Sequence, residues 1–321
     1  MGQGSLVTPS LGQKDLAAFQ DSRGAMLGLA YRMLGSRSDA EDVLQDVFLK
    51  WQAADREAIR EPAAWLVTAC TRRCIDVLRS AARSRTDYVG PWLPEPIHAG
   101  VLDEPAALSD SLETAFLTLL ERVTPRERAA FLLHEVFDMP HSEVAAALGL
   151  TPGASRKLVS RARAAISADA PRVVVEPGLH RDLLESFERA IRTDDMREFA
   201  AFLSRDVRLT ADSGGKAPSV GALCGSEEAL AFLVRARAWW PHYIWRPVDL
   251  ARSRGFLMSD GDAPVVLIWF ASTDGQAVSD IFVLRNPDKL AAFVRHLGAR
   301  RMAGDGDDQR AFGRLRSTVG D

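Results

Sequence analysis

Apolar positions recur every three or four residues through the first half of the chain, and each run carries a recognisable start or stop. Leu16, Phe19, Leu27, Tyr31 and Leu34 predict an opening helix that ends near Gly35. Val43, Leu44, Val47, Phe48 and Trp51 predict a second. Ser38, with Glu41 three residues on, reads as its capping box, and Asp39, Glu41 and Asp42 suit the positive end of its dipole. A third helix opens at Pro62, with Trp65, Leu66, Ala69 and Val77 directed inward. Farther on, Thr124, Pro125 and Glu127 cap a helix carrying Ala130, Leu133, Val136 and Phe137, which Asp138-Met139-Pro140 brings to an end. His141 to Leu148 predicts a short helix closed by Gly149. Thr151 and Pro152 then start another that runs to about Ile166, with Ala154, Leu158, Ala162 and Ile166 on its apolar side.

Beyond Pro171 to Pro177 the period changes. Leu183, Leu184, Phe187 and Ile191 mark one helix and Met196 to Leu203 another. Short alternating or apolar runs follow at Val207 to Ala211, Trp245 to Ala251, Gly255 to Met258, Pro264 to Ala271 and Val278 to Arg285. Turns punctuate them at Ser213-Gly214-Gly215, Asp260-Gly261-Asp262 and Asp274-Gly275, and a helix over Ser226 to Ala238 interrupts them. Helices first and then an antiparallel sheet predict an α+β cone.

The polar positions carry the chemistry. On the helix ending near Ile166, Arg156, Ser160 and Arg163 stand away from the apolar side, with Lys157 and Arg161 beside them; Thr151 to Ala168 holds four basic residues and no acidic one. A short helix, a glycine turn and a basic second helix make a helix-turn-helix suited to a DNA major groove. On the Pro62 helix, Arg72, Asp76, Arg79 and Arg83 fall on one stripe, widened by Arg73 and Arg85, so guanidiniums share a face where phosphates can lie. Each stripe taken alone is also compatible with a merely solvated face.

Composition sets bounds on this. The chain has 321 residues, 47% of them hydrophobic, which suffices for two or three packed domains. The net charge of -3 argues against indiscriminate binding of nucleic acid by the whole surface. Placement matters more than the sum: Arg72 to Arg85 is basic, whereas Thr86 to Glu121 holds seven acids and no base. No apolar run is long enough to cross a membrane and no secretion signal is read, so a cytoplasmic location is expected. Cys70 and Cys74 lie one helical turn apart with no further ligands nearby, and are read as core residues.

Together these segments resemble the bacterial extracytoplasmic-function (ECF) sigma factors. DAEDVLQDVF (Asp39 to Phe48) resembles the helix by which region 2 of that family grips RNA polymerase, PAAWLVTACTRRCIDVLR (Pro62 to Arg79) the part that melts and reads the -10 promoter element, and Thr124 to Arg163 the region 4 that reads the -35 element. The resemblance implies core RNA polymerase (β′ clamp and β flap) and promoter DNA as partners. Asp39, Glu41, Asp42, Gln45 and Asp46 would face the polymerase. Arg72, Arg73, Asp76, Arg79 and Arg83 would face the -10 element, and Arg156, Lys157, Ser160, Arg161 and Arg163 the -35 element.

Residues 86 to 110 contain four prolines and no helical period, a stiffened acidic linker. Within it, Trp92-Leu93-Pro94-Glu95-Pro96 matches the WLPEP signature of a SigJ-like subgroup that carries a fused SnoaL-like domain. Asn286-Pro287-Asp288-Lys289-Leu290 matches its NPDKL signature, and Asp212-Ser213-Gly214-Gly215-Lys216 matches its DGGGK signature except at Ser213, where the turn is expected to demand more of the backbone. The resemblance implies that Trp92, Pro94, Glu95, Asp212, Gly214, Lys216, Asn286, Asp288 and Lys289 are regulatory, the two C-terminal motifs lying near the linker or the sigma regions. The expected order is region 2 over 12–85, linker 86–110, region 4 over 111–168, linker 169–178, a SnoaL or ketosteroid-isomerase-like cone over 179–299 and a flexible tail over 300–321. No cofactor, metal or catalytic group is called for. A pocket formed by Trp239, Trp240, Tyr243, Trp245 and Trp269 with Asp212, His242, Asp249 or Asp280 leaves open a small ligand, or an isomerase-type enzyme fused to a DNA-binding regulator.

Overall fold

The computed structural model describes residues 12–84, 88–97, 111–167, 177–193, 195–236, 243–250, 254–272 and 277–301. They belong to two compact units. One draws on Met1–Thr86, Leu102–Ala106 and Leu120–Ala168, the other on Asp87–Val101, Ala107–Leu119 and Asp169–Asp321. The 98–110 part of the expected linker, the linker over 169–176, the 302–321 tail, the Asp274-Gly275 turn and residues 237–242 with Trp239, Trp240 and His242 lie outside the described residues.

The first unit begins with α1 (Gln13–Leu34), α2 (Arg37–Ala53) and α3 (Pro62–Ser84). Gly35 ends α1 in the left-handed region at φ 66°, as the sequence predicts. The cap of α2 lies elsewhere than expected. Ser36, not Ser38, accepts from the Asp39 N–H at 3.2 Å, and Glu41 pairs with Arg37 at 2.9 Å. Met26, Met33, Val47, Trp51, Leu66, Cys70 and Cys74 are fully or almost fully buried where the three helices meet. The inward face of α3 is therefore Leu66, Cys70, Cys74, Ile75 and Leu78, while Trp65, Ala69 and Val77 are only half-buried. Both cysteines are core residues; the hydrogen bond that the Cys74 thiol gives to Cys70, and then burial, hold that thiol well above its ordinary pKa.

Next in the chain come α4 (Ser111–Leu120), which up to Leu119 belongs to the second unit, and α5 (Pro125–Phe131) of the first. Thr124 and Glu127 form the predicted capping box. The helix breaks earlier than Pro140 requires. Leu132–Val136 adopts a π turn, in which Phe137 N–H reaches the Leu132 carbonyl at 3.1 Å, and Asp138 leaves it at φ 51°. α6 (His141–Leu148), Gly149 at φ 65° and α7 (Pro152–Ser167) then complete a helix-turn-helix. The inward face of α7 is Ser155, Val159, Ala162 and Ile166, one residue round from the predicted Ala154 and Leu158.

The second unit holds α8 (Pro177–Thr193), α9 (Arg197–Ala200), β1 (Leu203–Asp212), β2 (Ala222–Cys224), α10 (Ser226–Ala236), β3 (Ile244–Asp249), β4 (Arg254–Asp260), β5 (Ala263–Ser272), β6 (Val278–Leu284) and α11 (Pro287–Arg301). The strands form one sheet in the order β2-β1-β6-β5-β4-β3. It is mixed rather than antiparallel: β1 and β6 pair in parallel, with Asp212 opposite Leu284. One face carries Val207, Leu209, Phe256, Ile268, Phe270 and Ile281 against Phe187, Phe199 and Leu233 of the helices. The other carries Leu257, Leu267, Trp269, Phe282 and Leu284 against Leu290 and Phe293 of α11, and against Leu93 of the expected linker. This is the α+β cone, with a helix on its outer face that the sequence reading did not anticipate.

Candidate nucleic-acid interface and linker clamp

In the helix-turn-helix, the Thr151 hydroxyl accepts from Ala154 N–H at 3.2 Å and fixes the start of α7. Burial of Ser155, Val159 and Ala162 then turns Arg156, Lys157, Ser160, Arg161 and Arg163 outward, and all five are exposed. Arg156, Lys157, Ser160 and Arg161 border a shallow open depression. Arg163 pairs with Glu135 at 2.5 Å and Arg161 approaches Glu127 at 3.7 Å. Both arginine side chains are well exposed, so each pair is worth at most about 1 kcal/mol and its arginine can exchange partners. Two further residues set this frame. The His134 and His141 rings stack at 3.9 Å, His141 Nδ1 lies 3.1 Å from the buried Ser155 hydroxyl, and His134 Nδ1 donates to the Met139 carbonyl at 2.9 Å. The sequence offered no periodic signal for them.

On α3, Arg72, Asp76 and Arg79 are exposed, whereas Arg73 is half-buried and donates to Asp46 of α2 at 2.6 Å. The Arg83 side chain falls outside the described residues. Arg72 donates to the Ala147 carbonyl at 3.1 Å. On α2, Asp39, Asp42 and Gln45 are exposed, and Glu41 and Asp46 are half-buried in their pairs with Arg37 and Arg73. The residues expected to serve two separate partners are thus linked at one point, Asp46 to Arg73.

The three signature motifs converge within the second unit. Asp212, fully buried at the end of β1, accepts from Tyr88 Oη at 2.5 Å, Leu93 N–H at 2.9 Å, Lys289 Nζ at 2.8 Å and Gly214 N–H at 3.0 Å. Lys289 also donates to the Leu93 carbonyl at 2.6 Å and lies 4.3 Å from the Trp92 ring centre. The Asn286 amide donates to Tyr88 Oη at 3.0 Å, Asp288 N–H is held by the Asn286 side chain, and Asp288 pairs with Lys216. Pro94 is buried and Glu95 half-buried in the same segment. Burial, and then the bond to Asp212, push the Tyr88 phenol well above its ordinary pKa, so it remains a donor.

The glycines permit this approach. A Cβ on Gly214 would lie 2.5 Å from the Asn286 amide nitrogen, one on Gly215 would lie 2.8 Å from Val89 Cβ, and both have positive φ. Ser213 has no positive φ, so its departure from the signature strains nothing, and its hydroxyl accepts from Gly215 N–H at 3.3 Å. Tyr88 and Val89, just ahead of the WLPEP run, are the clamp residues that sequence reading missed.

The described members of the expected aromatic pocket are divided between the two faces of the sheet. Trp245 packs against the cluster of Phe256 and Phe270 and Trp269 belongs to the opposite face, Asp212 is held by the linker, Asp280 is held by Arg208 at 3.0 Å and Asp249 by Arg254 at 2.5 Å. Phe187, Phe199, Phe256 and Phe270 meet ring to ring on the face that Trp245 packs against. Among the described residues no helix is long and apolar enough to cross a membrane and no metal-binding cluster occurs.

Sequence comparisons agree with this division. Residues 18–84 match the model of Sigma-70 region 2 and residues 113–166 that of Sigma-70 region 4. The chain is 37% identical over 226 residues to the ECF RNA polymerase sigma factor SigJ of Mycobacterium tuberculosis (strain ATCC 25618 / H37Rv), over 68% of this chain and 72% of that protein. The chain belongs to the ECF sigma factors. This sigma factor is also 29% identical over 248 residues to the probable ECF sigma factor SigI of the same organism, across 69% of this chain and 86% of that one. Its fold matches the crystal structure of Mycobacterium tuberculosis SigJ with a TM-score of 0.67 and 30% identity, covering 86% of this chain and 98% of that one. It is a promoter-specific transcription initiation factor rather than an enzyme, and core RNA polymerase and promoter DNA are its partners.

Proposed function

We propose that α7 reads the -35 element through Arg156, Lys157, Ser160, Arg161 and Arg163, while α3 holds the -10 element through Arg72, Arg73, Asp76, Arg79 and Arg83. Asp39, Glu41, Asp42, Gln45 and Asp46 of α2 dock on the β′ clamp, and region 4 docks on the β flap. The single observation that carries the first assignment is the outward basic face of α7, fixed by burial of Ser155, Val159 and Ala162 on its other side. The domain limits follow the sequence reading: region 2 to residue 85, region 4 from 111 to 168 and the cone from 179.

The cone takes part by holding the linker. Tyr88 and Leu93 are bound to Asp212 and Lys289, so the cone fixes the conformation of the chain between the two DNA-reading regions. A contact role is favoured over ligand sensing because the phenylalanine rings on the face opposite α11 pack on one another. The test is run-off transcription with purified core polymerase. Promoter-specific transcripts are expected, and their pattern should change when residues 170–321 are removed. Absence of any promoter-specific transcript overturns the first assignment, and a truncation without effect overturns the regulatory one.

A further inference from the structure

His134 lies in the π turn and His141 opens α6, and their rings stack with centres 3.9 Å apart. Both Nδ1 atoms are engaged, that of His134 with the Met139 carbonyl at 2.9 Å and that of His141 with the Ser155 hydroxyl at 3.1 Å. Ser155 is fully buried and precedes Arg156, so the His141 ring is tied to α7 where its outward basic face begins. The rings themselves are only half-buried. The charged groups that face His141 are His134 and Glu135 from the π turn and Arg156 and Arg163 from α7. Glu135 is the one carboxylate among these groups, and it is already held by Arg163 at 2.5 Å and lies 3.9 Å from His134 Nε2. Burial first, and then His134, Arg156 and Arg163, therefore lower the His141 pKa against the opposition of Glu135 alone. The cluster is short of an anion.

We propose that His141 is a further DNA contact of region 4: it holds a backbone phosphate beside the groove that α7 occupies, and holds it as an imidazolium, so that the complex takes up a proton as it forms. This rests on the assignment of α7 to the -35 element. In a helix-turn-helix the first helix crosses the phosphate backbone while the second lies in the groove, and His141 begins that first helix. A phosphate there brings the counter-charge that the cluster lacks and favours the charged ring. Such a contact positions the protein without reading sequence. In the free chain the ring gives up its proton below the ordinary 6.5, whereas beside a phosphate it keeps that proton to a higher pH. Affinity for the -35 duplex therefore rises as pH falls through this window. Arginine and lysine keep their charge throughout the same range, so the change belongs to the imidazole.

The test titrates the full chain with a labelled duplex carrying the -35 element of a promoter that it transcribes with core polymerase. Salt is varied over roughly 50 to 200 mM at about pH 7.5 and about pH 6.0, on either side of the ordinary histidine pKa. The wild type is expected to bind at least about threefold tighter at the lower pH, and its slope of log affinity against log salt to steepen by about 0.9, the contribution of one added phosphate contact. In His141→Gln both changes should vanish. His134→Gln should keep the steepening, because the stacked ring is a neighbour of the contact and not the contact itself. A merely structural role for His141 would alter affinity at both pH values without changing how the slope depends on pH. Circular dichroism at each pH checks that the variants keep their helices. Where His141→Gln does not, calorimetry of the wild type in two buffers of different protonation enthalpy takes its place, with uptake of roughly half a proton expected near the ordinary histidine pKa. Equal slopes at the two pH values in the wild type, steepening that follows His134 instead of His141, or binding without proton uptake overturns the contact. Tight binding with no pH dependence overturns it while leaving α7 on the -35 element, whereas no duplex binding at either pH removes both.

Discussion

Tyr88 Oη donates to Asp212 Oδ1 at 2.5 Å, between residues 124 positions apart in the chain. Asp212 has no exposed surface and Lys289 is 8% exposed, so each charge depends on the other and on the linker for its solvation. Asp212→Asn keeps the shape but leaves the ammonium uncompensated, and should destabilise the second unit by about 3–5 kcal/mol in chemical denaturation. Tyr88→Phe should cost about 1–2 kcal/mol and speed protease cleavage within 88–97 roughly tenfold. The phenol has a raised pKa in the folded chain, so its stabilisation is complete below the unfolded value of 10.0 and declines as pH rises above it. Wild-type and Tyr88→Phe stabilities should therefore converge at alkaline pH; parallel curves would show that the phenol is not the group responsible.

The outward face of α7 makes a quantitative prediction about salt. Each lysine or arginine that neutralises a phosphate contributes about 0.9 to the slope of log affinity against log salt. Arg156→Ala, Lys157→Ala and Arg161→Ala should each weaken binding to -35 duplexes and lower that slope by about 1 in titrations from 50 to 200 mM salt. Arg163→Ala should lower it less, because Glu135 already competes for that guanidinium at 2.5 Å. Slopes that do not move in any of the four would take α7 off the DNA.

Asp46 and Arg73 join the proposed polymerase and -10 surfaces through one ion pair at 2.6 Å, with side chains 40% and 38% exposed. Exposure of that degree limits the pair to about 0–1 kcal/mol. A double-mutant cycle with Asp46→Ala and Arg73→Ala, read by denaturation, should return a coupling in that range. In polymerase binding, Asp46→Ala should act even when Arg73 is already alanine. Coupling above about 2 kcal/mol would make the pair a structural strut instead.

Much of this was legible because local chemistry repeats. The Thr124 box, Gly35, Gly149 and the Thr151-Pro152 start lie where the sequence places them, since caps and left-handed turns are set by residues a few positions apart. Errors of one or two residues arose where two local choices compete, as between Ser36 and Ser38, or where packing selects the face, as on α7. The parallel β1–β6 pair was not legible, because it joins segments some 70 residues apart and strand alternation carries no sign of direction. The clamp was visible only as motifs. Nothing in the spacing of Tyr88, Asp212 and Lys289 announces that they meet, whereas their convergence explains why the signature at 212–216 ends its turn in glycines.

His141 supplies a dependence on acid. Burial first, and then the charge of His134 stacked on it, lower its pKa from the ordinary 6.5; Arg156 and Arg163 of α7 act in the same direction and Glu135 of the π turn opposes them. A base whose folded pKa is depressed takes up its proton more readily in the unfolded chain. Its contribution is therefore present above about pH 6.5 and is lost as pH falls below that value. His134 Nδ1 donates to the Met139 carbonyl, which ties that ring to the loop that leads into α6. Region 4 should thus lose more stability between pH 7.5 and 5.5 in the wild type than in His141→Gln, measured by denaturation of the full chain at both pH values. The glutamine retains a partner for Ser155 while removing the titration, so equal losses in the two proteins would clear the imidazole pair of the effect.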